Sequence, residues 1–422
     1  MSSKNLGANY FRQYNDNMND LKKLNRCLCC DSDNLELTFD LGSQPLANSF
    51  KSNINDPESI YPLAVQVCKN CWHMQLTHAV NPEIIFKNYL YVSGTSRTMM
   101  EYFEWFADFA VEYLPYSYPK GRVLEIGCND GSQLNFFKSM GYETWGIDPA
   151  ENIYPTSSKN HNIVCDFLND DSIDKVPNSF NIIYAQNVFA HNDDPLSFLQ
   201  MLRLKMNAHT LLFIQNSQCD MISNGEFDTI YHEHRSFYTH SSMKALCDRA
   251  DLNIIDFVKG TIHGGSGIYV ISRDLQKPAR LQNLLDLEKA QGIHNMSTYY
   301  TWAKNNEILV NDLVTTINYQ RKNKGKLIVG YGAAAKAMTL INYGRIDMDF
   351  IIDDAPLKQN KFTPGMDIPV VSIDELSKHK HREICFVPLA WNFFNEIVSR
   401  IKRVRDYPGD NYIRYFPNIQ IL

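Results

Sequence analysis

The sequence of 422 residues has no long apolar run, no large net charge and no apolar leader. Because a helix needs about 18 to 20 apolar residues to cross a bilayer, no membrane-spanning segment is predicted. A formal net charge of -6 gives no electrostatic basis for binding nucleic acid or an anionic membrane. Residues 1–24 are polar and mixed in charge, which is not typical of a signal or transit peptide. The sequence therefore predicts a cytoplasmic globular protein and leaves its oligomeric state open, with a monomer as one expectation.

Ten cysteines are spread over the chain without the dense spacing of a secreted disulfide framework, so reduced thiols are expected. Four of them form two Cys-x-x-Cys pairs, Cys27 with Cys30 and Cys68 with Cys71. Two such pairs supply four thiolates, the ligand set that closes a tetrahedral structural zinc site. Buried cysteines with chance spacing are the alternative. We expect a zinc ion that contributes folding free energy to this segment and takes no part in catalysis.

Short apolar runs alternate with amphipathic stretches twice along the chain, first over 123–271 and again over 327–388. Alternating strands and helices predict βα units around parallel sheets. The predicted fold class is α/β, with a small β-rich zinc-binding domain, a doubly wound domain and a second Rossmann-like domain. The predicted boundaries are 1–80 for the first domain, 81–277 for the second, and 278–422 for a helical linker with the third.

A glycine-rich turn follows the first strand of the doubly wound domain. Residues 123–132 read as an apolar strand, a Gly-x-x-x-Gly turn and the start of a helix. Glycine lets the backbone approach a ligand closely at the carboxyl end of a strand. A nicotinamide fingerprint would place its second glycine where Cys128 and Asn129 stand. Glu125 before the turn, together with Asp130, is instead typical of the S-adenosylmethionine-binding turn of class I methyltransferases.

Acidic residues after the next strands fit the same cofactor. Asp148 ends the second strand and is placed to accept hydrogen bonds from both ribose hydroxyls. Asp166, after the third strand, can accept one from the adenine amino group. The alternative is that any Rossmann-like protein offers a glycine turn and an acid after the second strand. The predicted S-adenosylmethionine-binding residues are Glu125, Gly127, Asn129, Asp130, Gly131, Asp148, Asp166 and Asn187.

Ionisable and hydrogen-bonding side chains are concentrated in the stretch 227–238. Methylation of a carbon needs a carbon nucleophile, and an enolate forms when a base removes a proton beside a ketone. A histidine, with a pKa near ~6.5, can take that proton at neutral pH, and a tyrosine hydroxyl can stabilise the developing oxyanion. Structural histidines, or a metal site made by His232 and His234, are the alternatives. His191, after the fourth strand, is a second candidate.

In order and spacing, the motifs of this chain resemble those of the nucleotide-sugar C-methyltransferases that build branched deoxysugars. The resemblance implies a dTDP-4-keto-deoxysugar substrate, methylated on the carbon next to the ketone, usually at the 3-position. It also implies His234 as the leading base, and the implied catalytic residues are His234, Tyr231, Glu233, His191, Tyr91 and Tyr89. The motifs that carry the resemblance are the paired cysteines, 41–48, 89–96, the methyltransferase core, 231–234, 263–266 and 330–336.

A second glycine-rich turn, Gly330-x-Gly332-x-x-Ala335, follows a later apolar strand. Read alone, it is a fair nicotinamide fingerprint, so an oxidoreductase is one alternative and a merely structural turn is another. Such a turn binds any pyrophosphate through backbone N–H groups at a helix N-terminus, and the resemblance favours that of a nucleotide sugar. The predicted substrate-binding residues are His232, His263, Gly264, Gly330, Gly332, Ala333, Lys336, Asp353, Trp391 and Asn392.

The sequence as a whole predicts an S-adenosylmethionine-dependent C-methyltransferase acting on a nucleotide-linked ketosugar, with its site in the cleft between the last two domains. A nicotinamide-dependent nucleotide-sugar oxidoreductase is the first rival hypothesis. The second is a zinc-domain binding protein with a vestigial methyltransferase fold. The intact Glu125 and Asp148 speak against the second rival.

Overall fold

The computed structural model describes residues 20–86, 93–95, 97–115, 119–216, 221–260 and 266–422. Four residues with predicted site roles lie outside the described residues, and they are Tyr89, Tyr91, His263 and Gly264. Within the described segments, none of the helices combines the length and apolarity that a bilayer crossing requires.

The N-terminal part is built from short antiparallel strands. They are β1 (Leu21–Lys23), β2 (Leu35–Pro45), β3 (Ile60–Cys68), β4 (Met74–Leu76) and β5 (His78–Val80). β1 pairs with β5, and β2, β3 and β4 pair in sequence order. Leu63, Val65 and Val67 alternate along β3 and are buried, as expected for a strand with one face on a core.

Two helical segments lead from this part into the central sheet. Helix α1 (Pro82–Phe86) and helix α2 (Arg97–Glu112) flank a 3-10 turn at Ser93–Thr95. Phe106 of α2 is fully buried and packs edge-on against Phe213, with ring centroids 5.8 Å apart. Helix α2 therefore packs on one face of the central sheet.

The central part is a doubly wound sheet with helices on both faces. The elements are β6 (Arg122–Ile126), α3 (Ser132–Ser139), β7 (Glu143–Ile147), α4 (Tyr154–Ser157), β8 (Asn162–Val164), α5 (Asp170–Asp174), β9 (Ile182–Gln186), α6 (Pro195–Leu204), β10 (Leu211–Asn216), α7 (Met221–Asn224), β11 (Ser236–Phe237), α8 (His240–Arg249), β12 (Asn253–Lys259) and β13 (Gly267–Ser272). The strand order is β12-β13-β10-β9-β6-β7-β8, with β13 antiparallel to its neighbours β10 and β12. The chain reverses its winding direction between β6 and β9, and ligands bind at such a switch point.

Strand β11 does not join the central sheet. It pairs with β4 of the N-terminal sheet, in the register Ser236 with Gln75 and Phe237 with Met74. A segment from the middle of the chain thereby extends the sheet that carries the paired cysteines.

The C-terminal part repeats the α/β plan. Its elements are α9 (Pro278–Ala290), α10 (Met296–Lys324), β14 (Leu327–Tyr331), α11 (Ala335–Gly344), β15 (Phe350–Ile352), β16 (Lys361–Phe362), β17 (Pro369–Val371), β18 (Ile384–Pro388), α12 (Phe394–Val404), β19 (Asn411–Arg414) and β20 (Gln420–Ile421). The strand order is β16-β17-β15-β14-β18-β19-β20, with β14 between β15 and β18 at a second switch point.

A shared core joins the first and last parts. Phe39 of β2 packs edge-on against Trp302 of α10 and Tyr343 of α11, with ring centroids 5.5 Å and 5.4 Å away. The same apolar cluster contains Val65 of β3 and Ile341 of α11, both fully buried. The predicted α/β fold class is confirmed, while the predicted domain boundaries remain predictions.

Candidate active site

A cleft of about 1420 Å³ opens where the three parts of the chain meet. The carboxyl ends of the central strands form one wall, α1 and Asn48 form a second, and the first turn of α11 with residues 389–393 forms a third. The predicted site residues that line it are Glu125, Gly127, Asn129, Asp130, Asp148, Asp166, Asn187, His191, Tyr231, Glu233, His234, Lys336, Trp391 and Asn392. Both predicted groups, cofactor-binding and catalytic, therefore face the same space.

Some predicted residues support the walls without lining the cleft. They are Gly131, His232, Gly330, Gly332, Ala333 and Asp353. In this structure they make packing and hydrogen-bonding contacts behind the cleft surface. Their direct contact with a ligand stays a prediction.

The four paired cysteines lie together in the N-terminal part. The Sγ atoms of Cys27, Cys30, Cys68 and Cys71 all lie within 4.8 Å of one another. Cys27 Sγ is 3.5 Å from Cys71 Sγ, and Cys30 Sγ is 3.5 Å from Cys68 Sγ. A tetrahedral zinc ion with Zn–S bonds of about 2.3 Å holds its sulfurs about 3.8 Å apart, so the four thiolates fit that ion. Cys29 is buried beside them outside the cluster.

The first glycine turn is shaped by close packing and by Asp148. Gly127 has φ +73, and a Cβ there would lie 2.3 Å from Val188 Cγ2. Asp148 Oδ2 accepts from the Asn129 N–H at 2.8 Å, and Asp148 Oδ1 accepts from the Ala150 N–H at 2.9 Å. Burial raises the pKa of Asp148. Each carboxylate oxygen keeps a further lone pair, so Asp148 can hold the turn and still accept from a ribose hydroxyl.

Glu125 lies beneath the turn at the end of β6. Tyr184 Oη donates to Glu125 Oε2 at 2.9 Å, and the carboxyl is 5% exposed. Burial, together with the nearby Asp148 and Asp130, raises the pKa of Glu125 well above its usual range. This carboxyl is available as a hydrogen-bonding group for the cofactor at the base of the cleft.

The segment 93–95 closes over the glycine turn. The Ser93 N–H donates to Asn129 Oδ1 at 3.0 Å, and the Gly94 N–H donates to Asp130 Oδ2 at 3.0 Å. Asn129 has φ +48, a left-handed conformation that asparagine tolerates better than most residues. The two polar side chains of the turn thus tie the entrance of α2 to the cofactor wall.

His234 and Tyr231 form a hydrogen-bonded pair at the centre of the cleft. His234 Nδ1 lies 2.8 Å from the Thr229 carbonyl oxygen, and His234 Nε2 lies 2.8 Å from Tyr231 Oη. Because a carbonyl only accepts, Nδ1 carries the proton of the neutral ring. Nε2 is therefore the basic nitrogen, and Tyr231 donates its hydroxyl proton to it.

His191 belongs to a stack of rings on the same wall. Its ring lies 5.1 Å from that of His234 and 5.4 Å from that of Phe86, measured between centroids, at interplanar angles of 24° and 10°. Burial and the Arg235 guanidinium lower the pKa of His191 to about 3. His191 is therefore neutral at physiological pH and orients its neighbours without carrying charge.

Glu233 and its neighbour His232 contact the N-terminal sheet. Asn48 Nδ2 donates to Glu233 Oε1 at 2.5 Å. His232 is 1% exposed, and its Nε2 lies 3.2 Å from the Tyr61 carbonyl oxygen. The predicted contact of His232 with substrate is not seen because this ring is packed edge-on against Tyr61, away from the cleft.

In the second glycine turn, as in the first, an aspartate accepts hydrogen bonds from two backbone N–H groups. Asp353 Oδ2 accepts from the Ala333 N–H at 2.7 Å, and Asp353 Oδ1 accepts from the Ala355 N–H at 2.8 Å. Gly330 is required by packing, since a Cβ there would lie 2.9 Å from Ile351, Leu389 and Met348. The turn presents the N-terminus of α11 to the cleft, while its glycines and Asp353 stay behind the wall.

Lys336 faces the cleft beside two carboxylates that sequence reasoning missed. Its Nζ lies 3.9 Å from Glu226 Oε2, 3.9 Å from Asp228 Oδ1 and 5.7 Å from the centre of the Trp391 ring. Asp228 Oδ2 accepts from Trp391 Nε1 at 2.8 Å, and burial raises the pKa of Asp228. Asp228 stood within the polar stretch 227–238, but nothing in the sequence paired it with a tryptophan far along the chain.

Three family profiles match consecutive parts of the chain. The profile described as "Putative zinc binding domain" matches residues 27–86, "Methyltransferase domain" matches 100–256, and "C-methyltransferase C-terminal domain" matches 261–417. The chain is similar to the C-methyltransferase NovU of Streptomyces niveus, with 27% identity over 429 residues, covering 95% of this chain and 98% of that protein.

Solved structures are similar to about two fifths of the chain. One is an S-adenosylmethionine-dependent methyltransferase from Clostridium acetobutylicum, with 13% identity, a TM-score of 0.33, and coverage of 41% of this chain and 90% of that chain. Another is the plantazolicin methyltransferase BpumL, with 16% identity, a TM-score of 0.31, and coverage of 41% and 82%. Both likenesses are weak.

The oxidoreductase hypothesis finds no support, because the part that carries the second glycine turn matches a C-methyltransferase domain. The predictions of a methyltransferase and of a zinc-binding domain are confirmed, and S-adenosylmethionine stays the predicted methyl donor. A zinc-binding, a methyltransferase and a C-methyltransferase C-terminal domain thus follow one another along the chain, and the chain is similar to a C-methyltransferase over nearly its whole length.

Proposed function

We propose that the protein methylates the carbon next to the ketone of a nucleotide-linked 4-ketosugar, at the 3-position, through a base-generated enolate. A dTDP-4-keto-deoxysugar is the proposed substrate class, on the motif resemblance. The observation that carries the proposal is the arrangement of the cleft, which is lined by both the first glycine turn and the Tyr231–His234 pair. The N-terminus of α11 lies beside them.

The donor wall offers groups suited to the polar parts of S-adenosylmethionine. Asp148 is placed for the ribose hydroxyls, and Asp166 lines the same wall further along. Asp166 Oδ1 is already held by the Phe167 N–H at 2.8 Å, so its orientation is set before the cofactor binds. When bound, S-adenosylmethionine supplies an electrophilic methyl group to which a deprotonated carbon can bond.

The acceptor wall provides a proton path. Tyr231 Oη takes the proton from the carbon beside the ketone as its own proton passes to His234 Nε2. The Thr229 carbonyl stabilises the resulting imidazolium through its bond to the Nδ1 proton. In this scheme His234 acts through Tyr231. Other polar groups of the wall stabilise the enolate oxygen. The enzyme contributes chiefly by holding the two reacting carbons close together.

The third wall is suited to the nucleotide carrier. Ala334 and Ala335, at the start of α11, line the cleft together with Lys336, and a helix N-terminus binds a pyrophosphate through its N–H groups. Glu226 and Asp228 offset part of the charge of Lys336. Recognition of the pyrophosphate therefore depends on the backbone of this turn as well as on the lysine.

Methyl transfer to a dTDP-4-keto-6-deoxyhexose tests the proposal. With S-adenosylmethionine present, we expect a product one methyl group heavier and release of S-adenosylhomocysteine, both followed by mass spectrometry. In D2O, we expect the proton beside the ketone to exchange. No exchange and no methylated product with any dTDP-, UDP- or GDP-linked 4-ketosugar would remove the proposal.

A further inference from the structure

The segment 226–237, here called the catalytic segment, is attached to both flanking domains. At its start, Trp302 Nε1 donates to the Glu226 carbonyl at 2.8 Å, and Thr339 Oγ1 donates to the Ile230 carbonyl at 2.9 Å. At its end, strand β11 pairs with β4, and the Leu76 N–H donates to the Arg235 carbonyl at 2.9 Å. The Tyr231–His234 pair thus lies in a segment that is bonded to the C-terminal domain near its start and to the zinc-binding sheet at its end.

The zinc-binding sheet holds its end of the segment through buried polar contacts. His73 Nε2 lies 3.2 Å from Ser236 Oγ, and Arg235 Nη2 donates to the Val80 carbonyl at 2.5 Å. Gln75, which is fully buried, links this point to the first cysteine pair. Its Oε1 accepts from the Leu28 N–H at 2.9 Å, and its Nε2 donates to the Arg26 carbonyl at 3.0 Å. Strand β4, which pairs with the end of the catalytic segment, is therefore hydrogen-bonded to the backbone on both sides of Cys27.

One contact of this domain reaches the cleft. Asn48 lies shortly after β2, lines the cleft, and donates through Nδ2 to Glu233 Oε1 at 2.5 Å. A hydrogen bond to a carboxylate is among the stronger ones, and an amide offers a donor without adding a charge. The Lys358 ammonium also interacts electrostatically with the Glu233 carboxylate. Asn48 therefore contributes to the orientation of the carboxylate beside the Tyr231–His234 pair.

We propose that Asn48 is a positioning residue, which holds the Glu233 carboxylate toward the substrate and makes the zinc-binding domain part of the active site. The inference rests on the proposed function, because it requires the sugar to bind beside the Tyr231–His234 pair, where the Glu233 carboxylate also lines the cleft. The domain then has a role in the reaction in addition to its role in folding.

A double-mutant cycle between Asn48→Ala and Glu233→Ala tests the proposal. With a dTDP-4-keto-6-deoxyhexose, we expect Asn48→Ala to lower kcat about 10-fold to 100-fold, the size of effect that follows a small misplacement of a reacting group. The affinity for S-adenosylmethionine, measured by calorimetry, should stay within about two-fold. In the Glu233→Ala background, Asn48→Ala should change kcat no further, since the group it positions is gone.

Asn53→Ala is the matched control, because Asn53 is exposed on the same domain. It should leave kcat unchanged. If Glu233→Ala alone keeps full activity, the inference is overturned, while the proposed function, which uses Tyr231 and His234, stands. Either of two results would overturn only the role of Asn48. One is that Glu233→Ala is inactive while Asn48→Ala keeps full activity. The other is that the fold-losses in kcat of the two substitutions multiply in the double variant. Loss of cooperative melting in both Asn48→Ala and Asn48→Asp would show a role in folding and would also overturn it.

Discussion

At the scale of single residues, the Tyr231–His234 hydrogen bond is the most informative contact. The anchoring of His234 Nδ1 on the Thr229 carbonyl leaves Nε2 as the base, and Nε2 points at the tyrosine hydroxyl. The motif resemblance implied His234 as the leading base. The geometry favours a base that acts through Tyr231, because the tyrosine hydroxyl is hydrogen-bonded to the basic nitrogen.

His234→Ala and Tyr231→Phe should therefore both lose most of their turnover. General-base catalysis contributes about 10²-fold to 10⁴-fold, so losses of that size in kcat are expected. Binding of S-adenosylmethionine, measured by titration calorimetry, should persist in both variants. His381→Ala is the control, since His381 is exposed in the C-terminal part. Full turnover in Tyr231→Phe would exclude the tyrosine from the proton path.

Gly127 offers a second test at this scale, because its φ of +73 and its contact with Val188 act together. Gly127→Ala should lower the free energy of unfolding by about 1 to 3 kcal/mol from backbone strain, and by more because of the collision. Gly325 has φ +67 and open space around its Cβ position, so Gly325→Ala reports strain alone. In urea unfolding, Val188→Ala should partly restore Gly127→Ala. Equal losses for the two glycines would rule out the collision.

At the scale of secondary-structure elements, the catalytic segment depends on supports that lie far away in sequence. The end of the segment is a strand of the zinc-binding sheet, and its beginning is bonded to α10 and α11. Between these supports, the ring of His232 is buried on β3. The element that carries the chemistry is thus stabilised by its neighbours more than by its own short turns.

The burial of His232 predicts acid sensitivity. Burial lowers its pKa to about 4 in the folded protein, against about 6.5 in the unfolded chain. The unfolded state thus binds more protons between these values, and the stabilisation present above pH 6.5 is lost as the pH falls toward 4. At pH 5 the loss from this group is roughly 2 kcal/mol.

Urea unfolding at pH 7.5 and pH 5.0 measures this loss. His232→Gln, which removes the titration and keeps a donor for the Tyr61 carbonyl, should lose less stability between the two pH values than the wild type. His381→Gln is the exposed control. The same pH dependence in wild type and His232→Gln would mean that His232 is not the responsible group.

At the scale of the whole molecule, the N-terminal and C-terminal domains share an apolar core and together frame a site on the central domain. Each domain supplies one wall of the cleft. On the proposed function, we expect binding of the methyl donor to depend mainly on the central wall and catalysis to depend on all three.

Removal of the zinc ion should lower the rate of methyl transfer without abolishing binding of the methyl donor. After chelation of the intact protein, we expect methyl transfer to fall while S-adenosylmethionine still binds, because Asp148 and Glu125 lie in the central domain. Hydrogen exchange at the Leu76 amide should speed up, since that amide is bonded to the Arg235 carbonyl. Full activity in protein shown by atomic emission to lack zinc would contradict this expectation.

Local patterns were enough for much of the fold and for part of the site. The alternation along β3, the apolar strands and the two Cys-x-x-Cys pairs are set by neighbours in sequence, so they could be predicted. Glu125 and Asp148, predicted on either side of the first glycine turn, both line the cleft, since a strand end dictates where its next residues lie. His232 was misplaced because side-chain direction within 231–234 depends on Tyr61, which no spacing rule connects to it.

What the sequence determined by itself was the list of elements, the metal-binding cysteines and the chemistry available near each strand end. Only the tertiary structure decided which of these meet. The Asn48–Glu233 bond, the Phe86–His191 stack and the Asp228–Trp391 bond each join residues from distant parts of the chain. Such contacts depend on how sheets and domains pack against one another, and packing is a property of the folded whole.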